Sequence, residues 1–167
     1  MRVLFLDIDG VLNDADYFKN SHERVLEYGK KYNYDYDNIN VLLGRQMLDI
    51  DYNKLSLLRD IIIDNKLFVV IISSWKKLKI YPYIEEELIK FGIPIIGVTQ
   101  DNGSDRGTGI KKYVADNNIH NYLVLDDDIF DDYDTEIMNR LIKTSFYNGG
   151  LLEKHKTDFT MKLSKKL

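Results

Sequence analysis

Residues 1–13 read MRVLFLDIDGVLN: an apolar run from Val3 to Leu6 stops at two carboxylates, Asp7 and Asp9, followed by Gly10. An unbroken Val/Leu/Phe run without polar alternation is how a strand buried on both faces reads. In an open α/β sheet, ligands sit outside the carboxyl ends of the strands. Two carboxylates two residues apart at such an end can share one small site. They can hold a hard cation through oxygen, and one of them can attack phosphorus. The other can hold or release a proton if crowded negative charge raises its pKa. Gly10 lets the chain turn sharply there. By itself, an Asp-x-Asp pair also fits the start of a simple turn.

The same grammar recurs outward from this stretch. Leu67 to Ile72, Ile93 to Val98, Tyr122 to Leu125 and Leu141 to Lys143 are further short apolar runs. Helical patterns lie between them: Tyr52 to Asn65, with Leu55, Leu58, Ile61 and Ile62 on one face; Tyr83 to Lys90, with Pro82 near its first turn; and Thr108 to Asp116. Strands alternating with helices predict an α/β fold with a mainly parallel, five-stranded sheet and helices on both faces. Residues 7–66 are too many for one crossover. A helix from Asp16 to Lys31 and a Tyr-, Asp- and Asn-rich stretch from Tyr32 to Asn40 fill the excess. Residues from about 14 to 52 therefore read as an insertion over the end of the first strand, serving as a lid or cap, or as an elaborated loop that only packs.

The chain of 167 residues fits one domain, 1–167. It has no cysteine, which excludes disulfides, thiolate metal sites and a thiol nucleophile. The apolar run before Asp7 is too short for a signal peptide, and no stretch approaches a membrane span. A cytoplasmic protein with no membrane partner and no evident obligate protein partner is expected. With a net charge of −4 and a pI of about 5.4, the surface as a whole would not attract a long duplex. The lysine clusters Lys76, Lys77, Lys79 and Lys162, Lys165, Lys166 read as solvated faces.

Three more stretches carry candidate chemistry. Ser73-Ser74-Trp75 follows the strongest strand, where a hydroxyl and exposed backbone N–H groups can meet a phosphate oxygen. Either serine can serve, depending on where the strand ends. Trp75 can stack on a base or pack beneath the insertion. Asp126-Asp127-Asp128 follows the fourth strand, and clustered carboxylates there need solvent or a cation. The glycine that a calcium loop requires at its sixth position is missing here and in the stretch from Asp35, which rejects an EF-hand. Arg106 opens a helix, with Lys111 and Lys112 one turn on; a cation and a helix N-terminus can together neutralise a phosphate and a carboxylate. His22, His120 and His155 have no ligand-like spacing.

On these phrases the sequence resembles the haloacid dehalogenase (HAD) superfamily over nearly its whole length. Asp7-Ile8-Asp9-Gly10-Val11-Leu12-Asn13 resembles the first motif of that superfamily, Ser73 the second, and Asp126-Asp127 the acidic fourth. Arg106 stands where the third motif usually has lysine, a role Lys111 could also fill. Ile72-Ser73-Ser74-Trp75-Lys76, Arg106-Gly107-Thr108-Gly109-Ile110 and Gly149-Gly150-Leu151, the last after a final strand from Leu141 to Thr144, resemble the HAD domain of "Swiss Army Knife" RNA-repair proteins. The resemblance implies a Rossmann-like three-layer sandwich and a Mg²⁺-dependent phosphatase. Asp7 would form an aspartyl-phosphate and Asp9 would act as general acid and base. Mg²⁺ would be held by Asp7, the Asp9 backbone carbonyl, Asp126 and nearby Asp127, with Asp128 as a further candidate. Gly10, Ser73, Ser74, Arg106 and Lys111 would bind phosphate. An Asp at position 9 favours phosphatase over dehalogenase chemistry. The implied substrate is a nucleotide, a phosphorylated RNA or DNA end, or another small phosphomonoester. A catalytically silent phosphate-binding or regulatory module on the same fold is the alternative.

Overall fold

The computed structural model describes residues 1–32, 49–101 and 105–164. The expected stretch Tyr32 to Asn40, the interior of the expected cap, and Lys165 and Lys166 fall wholly or mostly outside those residues.

Five strands form one sheet in the order β3-β2-β1-β4-β5, and every pairing is parallel. They are β1 (Arg2–Leu6), β2 (Leu67–Ile71), β3 (Ile95–Val98), β4 (Asn121–Asp126) and β5 (Leu141–Lys143). The central strand is β1, in register with β2 from Arg2 opposite Leu67 to Leu6 opposite Ile71, and with β4 from Arg2 opposite Asn121 to Leu6 opposite Leu125. Its Val3 to Leu6 have no accessible surface, as a run without polar alternation requires. The ladder continues past the strand ends, with Asp7 N–H donating to the Leu125 carbonyl and Ile72 N–H to the Leu6 carbonyl, both at 2.9 Å.

Alternation along the strands divides the core in two. Leu4, Leu6, Val69, Ile71, Leu123 and Leu125 face one side. That side is covered by α2 (Tyr52–Asn65), α3 (Tyr81–Lys90) and α6 (His155–Ser164), through Leu55, Leu58, Ile84, Leu88 and Phe159. Val3, Phe5, Val70 and Val124 face the other, under α4 (Arg106–Asp116) and α5 (Thr135–Arg140), through Ile110 and Ile137. This is the expected three-layer, Rossmann-like α/β/α arrangement. Helix α1 (Ala15–Tyr32) follows β1 directly. Among the described residues, no helix is long and apolar enough to cross a membrane.

Local chemistry sets the helix ends. The Asp51 carboxylate accepts from Asn53 N–H at the start of α2, whose bounds match the sequence pattern, and Lys66 ends it in the left-handed region at φ 53°. Lys54 then ties the two ends of the long excursion together, pairing with Asp14 at 2.8 Å and Asp51 at 2.9 Å. Helix α3 begins two residues before the expected Tyr83, because Pro82 occupies its first turn. Two 3₁₀ turns, Ser74–Lys77 and Phe146–Asn148, and the helices α5 and α6 were not anticipated.

Candidate active site

The carboxyl ends of β1, β2 and β4 and the N-terminus of α4 meet at one point. Asp7 leaves β1 with a buried carboxylate, and Asp126 closes β4 with no exposure at all. The Arg106 guanidinium bridges them: one nitrogen, Nη1, donates to Asp7 Oδ2 and to Asp126 Oδ2, each at 2.7 Å. The guanidinium carbon lies 4.2 Å from the Phe130 ring centre, a cation–π contact on its other side. Tyr133 donates its hydroxyl to Asp126 Oδ2 at 2.7 Å, and Asp128 N–H donates to Asp126 Oδ1 at 3.0 Å. Burial, and then the charge of Asp7, push the Asp126 carboxyl up to about 7, although Arg106 pulls the other way. Burial works against the charge of Arg106, but Asp7 and Asp126 outweigh it and hold the guanidinium more firmly protonated. Asp127 is also raised, by burial and then by Asp7.

One carboxylate oxygen from each of Asp7, Asp126 and Asp127 lies within 4.8 Å of the other two. An all-oxygen donor set of three carboxylates suits a hard divalent cation such as Mg²⁺. The carboxylate of Asp9 does not join this group, and the part implied for Asp9 is that of its backbone carbonyl. Gly10 has φ +64°, and a Cβ there would overlap the Asp127 side chain, so glycine satisfies both the turn and the close approach.

The Asp9 carboxylate points elsewhere. Its Oδ1 accepts from Asn13 Nδ2 at 3.0 Å and its Oδ2 from Trp75 Nε1 at 2.7 Å. Burial raises its pKa, and the charges of Asp7 and Asp49 push the same way against those two hydrogen bonds. Ser73 is fully buried and its Oγ accepts from Trp75 N–H at 3.4 Å, opening the Ser74–Lys77 turn. Ser74 is exposed. β2 ends at Ile71, so Ser73 caps the turn that follows it while Ser74 faces solvent.

Several expectations need correction. Lys111 is not brought to the cluster, because its ammonium pairs with Asp134 on the surface. Asp128 is exposed and reaches the cluster only through its backbone N–H, its carboxylate accepting from Ile129 N–H at 2.8 Å. The first amides of α4 do not face the cluster either: Gly107 and Thr108 N–H donate to the Asp132 carboxylate at 3.0 and 2.7 Å. Lys76 is no solvated lysine. Its side chain is 6% exposed and bonds the Ile72 carbonyl at 3.1 Å, Thr99 Oγ1 at 2.9 Å and the Asp101 carboxylate. Tyr133, Phe130, Asp132 and Asn13 are partners that the sequence did not single out. Of these, only Asn13 belongs to the Asp7–Asn13 stretch, and its side-chain oxygen also accepts from Gly10 N–H at 2.9 Å.

A covered parallel sheet that delivers these groups from its central strands places the chain among the HAD-type, Rossmann-like hydrolases. More narrowly, the family model for the HAD domain in Swiss Army Knife RNA repair proteins matches residues 3–155, and the chain belongs to that family. The family points to a phosphatase-type hydrolase. No curated protein and no solved structure matched the chain.

Proposed function

We propose that this protein is a Mg²⁺-dependent phosphomonoesterase that works through an aspartyl-phosphate on Asp7. The observation that supports this most is the meeting of Asp7, Asp126, Asp127 and Arg106 at the end of the central strand, with Asp9 two residues beyond the nucleophile. Asp7, Asp126 and Asp127, with the Asp9 backbone carbonyl, would hold Mg²⁺, which supplies positive charge against the phosphoryl oxygens when bound.

The residues of the chain then divide the work. An Asp7 carboxylate oxygen attacks phosphorus while the bond from phosphorus to the leaving oxygen breaks. Asp9, with its raised pKa, gives its proton to that oxygen. It then takes a proton from the water that attacks the phosphoryl group, and the bond to Asp7 breaks. Arg106 neutralises phosphoryl oxygens as it neutralises the carboxylates at rest, and the buried Ser73 fixes the rim of the site. Positioning and charge neutralisation carry most of the catalysis in such transfers.

The substrate we propose is a nucleotide or a phosphorylated RNA or DNA end. The family's repair proteins support this. Residues 14–52 would then act as a cap. The test is phosphate release, with Mg²⁺, from an end-phosphorylated oligonucleotide, from nucleotides and from a panel of sugar phosphates, with Asp7→Asn as control. Release that is lost in Asp7→Asn is expected. Activity confined to sugar phosphates would remove the nucleic-acid substrate, and binding and biological effect that survive Asp7→Asn unaltered would favour a non-catalytic module.

A further inference from the structure

Trp75 is the only tryptophan of the chain, and its ring edge rather than its face meets the site. The indole N–H donates to Asp9 Oδ2 at 2.7 Å, while Asn13 Nδ2 donates to Oδ1 at 3.0 Å. Both donors are anchored. Asn13 also bonds Gly10 N–H at 2.9 Å and the Asp49 carbonyl at 3.0 Å. Trp75 is half-buried against the core and rides on a turn fixed at both ends. Ser73 Oγ receives its backbone N–H, and Lys76 Nζ is bound to the Ile72 carbonyl at 3.1 Å. The turn that Ser73 caps after β2 therefore also aims a rigid donor at Asp9.

We infer that Trp75 is a positioning residue, whose indole N–H sets the direction of the Asp9 carboxyl for proton delivery to the leaving oxygen. The role rests on the phosphatase reading above. Aspartate is short and can rotate, and a proton donor must lie within hydrogen-bond reach of its acceptor in a fixed direction. Each carboxylate oxygen has a second lone-pair direction, so the clamp leaves room for the proton that Asp9 transfers. As phosphorus bonds to Asp7, the electron pair of the breaking bond passes to the leaving oxygen, which takes that proton. An alkyl or ribose oxygen needs the proton. A nitrophenolate departs without it. The clamp thus matters most for alkyl phosphomonoesters.

The test compares kcat/KM, which reports events up to departure of the leaving group, for an alkyl phosphomonoester and for p-nitrophenyl phosphate. In Trp75→Phe the ratio of alkyl to aryl kcat/KM is expected to fall about tenfold, a fraction of a general-acid contribution of roughly 10²–10⁴. Because the chain has one tryptophan, replacing it with benzothienylalanine removes this N–H alone and keeps the ring volume, which covers the case of a Phe variant that does not fold. An active wild type whose variants keep the wild-type ratio would overturn the role of Trp75 and leave the phosphatase reading standing. A wild type that turns over neither ester would overturn both.

Discussion

Arg106→Met isolates what holds the acidic cluster together. The substitution removes the one guanidinium nitrogen that lies 2.7 Å from both Asp7 and Asp126. Met keeps much of the packing over Phe130, so the loss is chiefly electrostatic. Removing one partner of a buried ion pair costs about 3–5 kcal/mol, because the remaining charge stays desolvated and unpaired. The pH dependence has a definite sign. The Asp126 carboxyl already sits at about 7, above its ordinary 3.8. Its contribution is fully present below the ordinary value and is lost as pH rises through the folded one. Without Arg106 the folded value moves higher still. The deficit of the variant against wild type should therefore be about 3–5 kcal/mol near pH 8 and smaller by about 1 kcal/mol near pH 5, because only between the two folded values does the variant hold a proton on Asp126 that wild type has lost. Urea denaturation at the two pH values measures it, and added Mg²⁺ should recover part of the loss at the higher pH. A deficit below about 1 kcal/mol near pH 8, or one of equal size at both pH values, would show that Arg106 does not hold the two carboxylates together by charge.

Gly150→Ala should destabilise the fold by about 2–3 kcal/mol in chemical denaturation, through strain and overlap. Gly150 has φ +59°, and a Cβ would lie 2.7 Å from the Asn13 carbonyl and 2.9 Å from the Val11 carbonyl, both immovable backbone. Lys54→Met should cost about 1–2 kcal/mol near neutral pH, because Asp14 and Asp51 lose a largely buried cation. Burial opposes both charges of this pair, yet the hydrogen bonds win: Lys54 is raised above 10.5 and Asp14 lowered below 3.8. The difference from wild type should accordingly persist between those values. It should vanish as pH rises through the folded pKa of Lys54 or falls through that of Asp14.

What could be read from the sequence was local. The Val3–Leu6 run, the Asp-x-Asp-Gly turn and helix Tyr52–Asn65 each declare themselves in consecutive or periodic residues, and the parallel sheet follows from their alternation. Helix α6 does not, because it buries only His155 and Phe159, and α5 is a single short stretch burying Ile137 and Arg140. The site partners that escaped notice are bonds between distant segments. Asp132 caps a helix that starts before it in the chain, and Tyr133 reads like part of a solvated acidic loop until β4 and α5 bring its hydroxyl to Asp126. Lys76 looked like one of three surface lysines because nothing local shows that Thr99 and Asp101 will enclose it. Which of Ser73 and Ser74 is buried turns on a single residue past the strand end, and which of Arg106 and Lys111 meets the carboxylates depends on the side of α4 that faces the sheet.

In the proposed mechanism everything depends on Asp7 taking the phosphoryl group. Quenching the working enzyme with borohydride reduces an aspartyl-phosphate to homoserine, which peptide mass spectrometry can place. Homoserine at position 7, dependent on both substrate and Mg²⁺, is the expected result. Steady phosphate release with Asp7 unmodified, or with the label on another residue, would contradict the account.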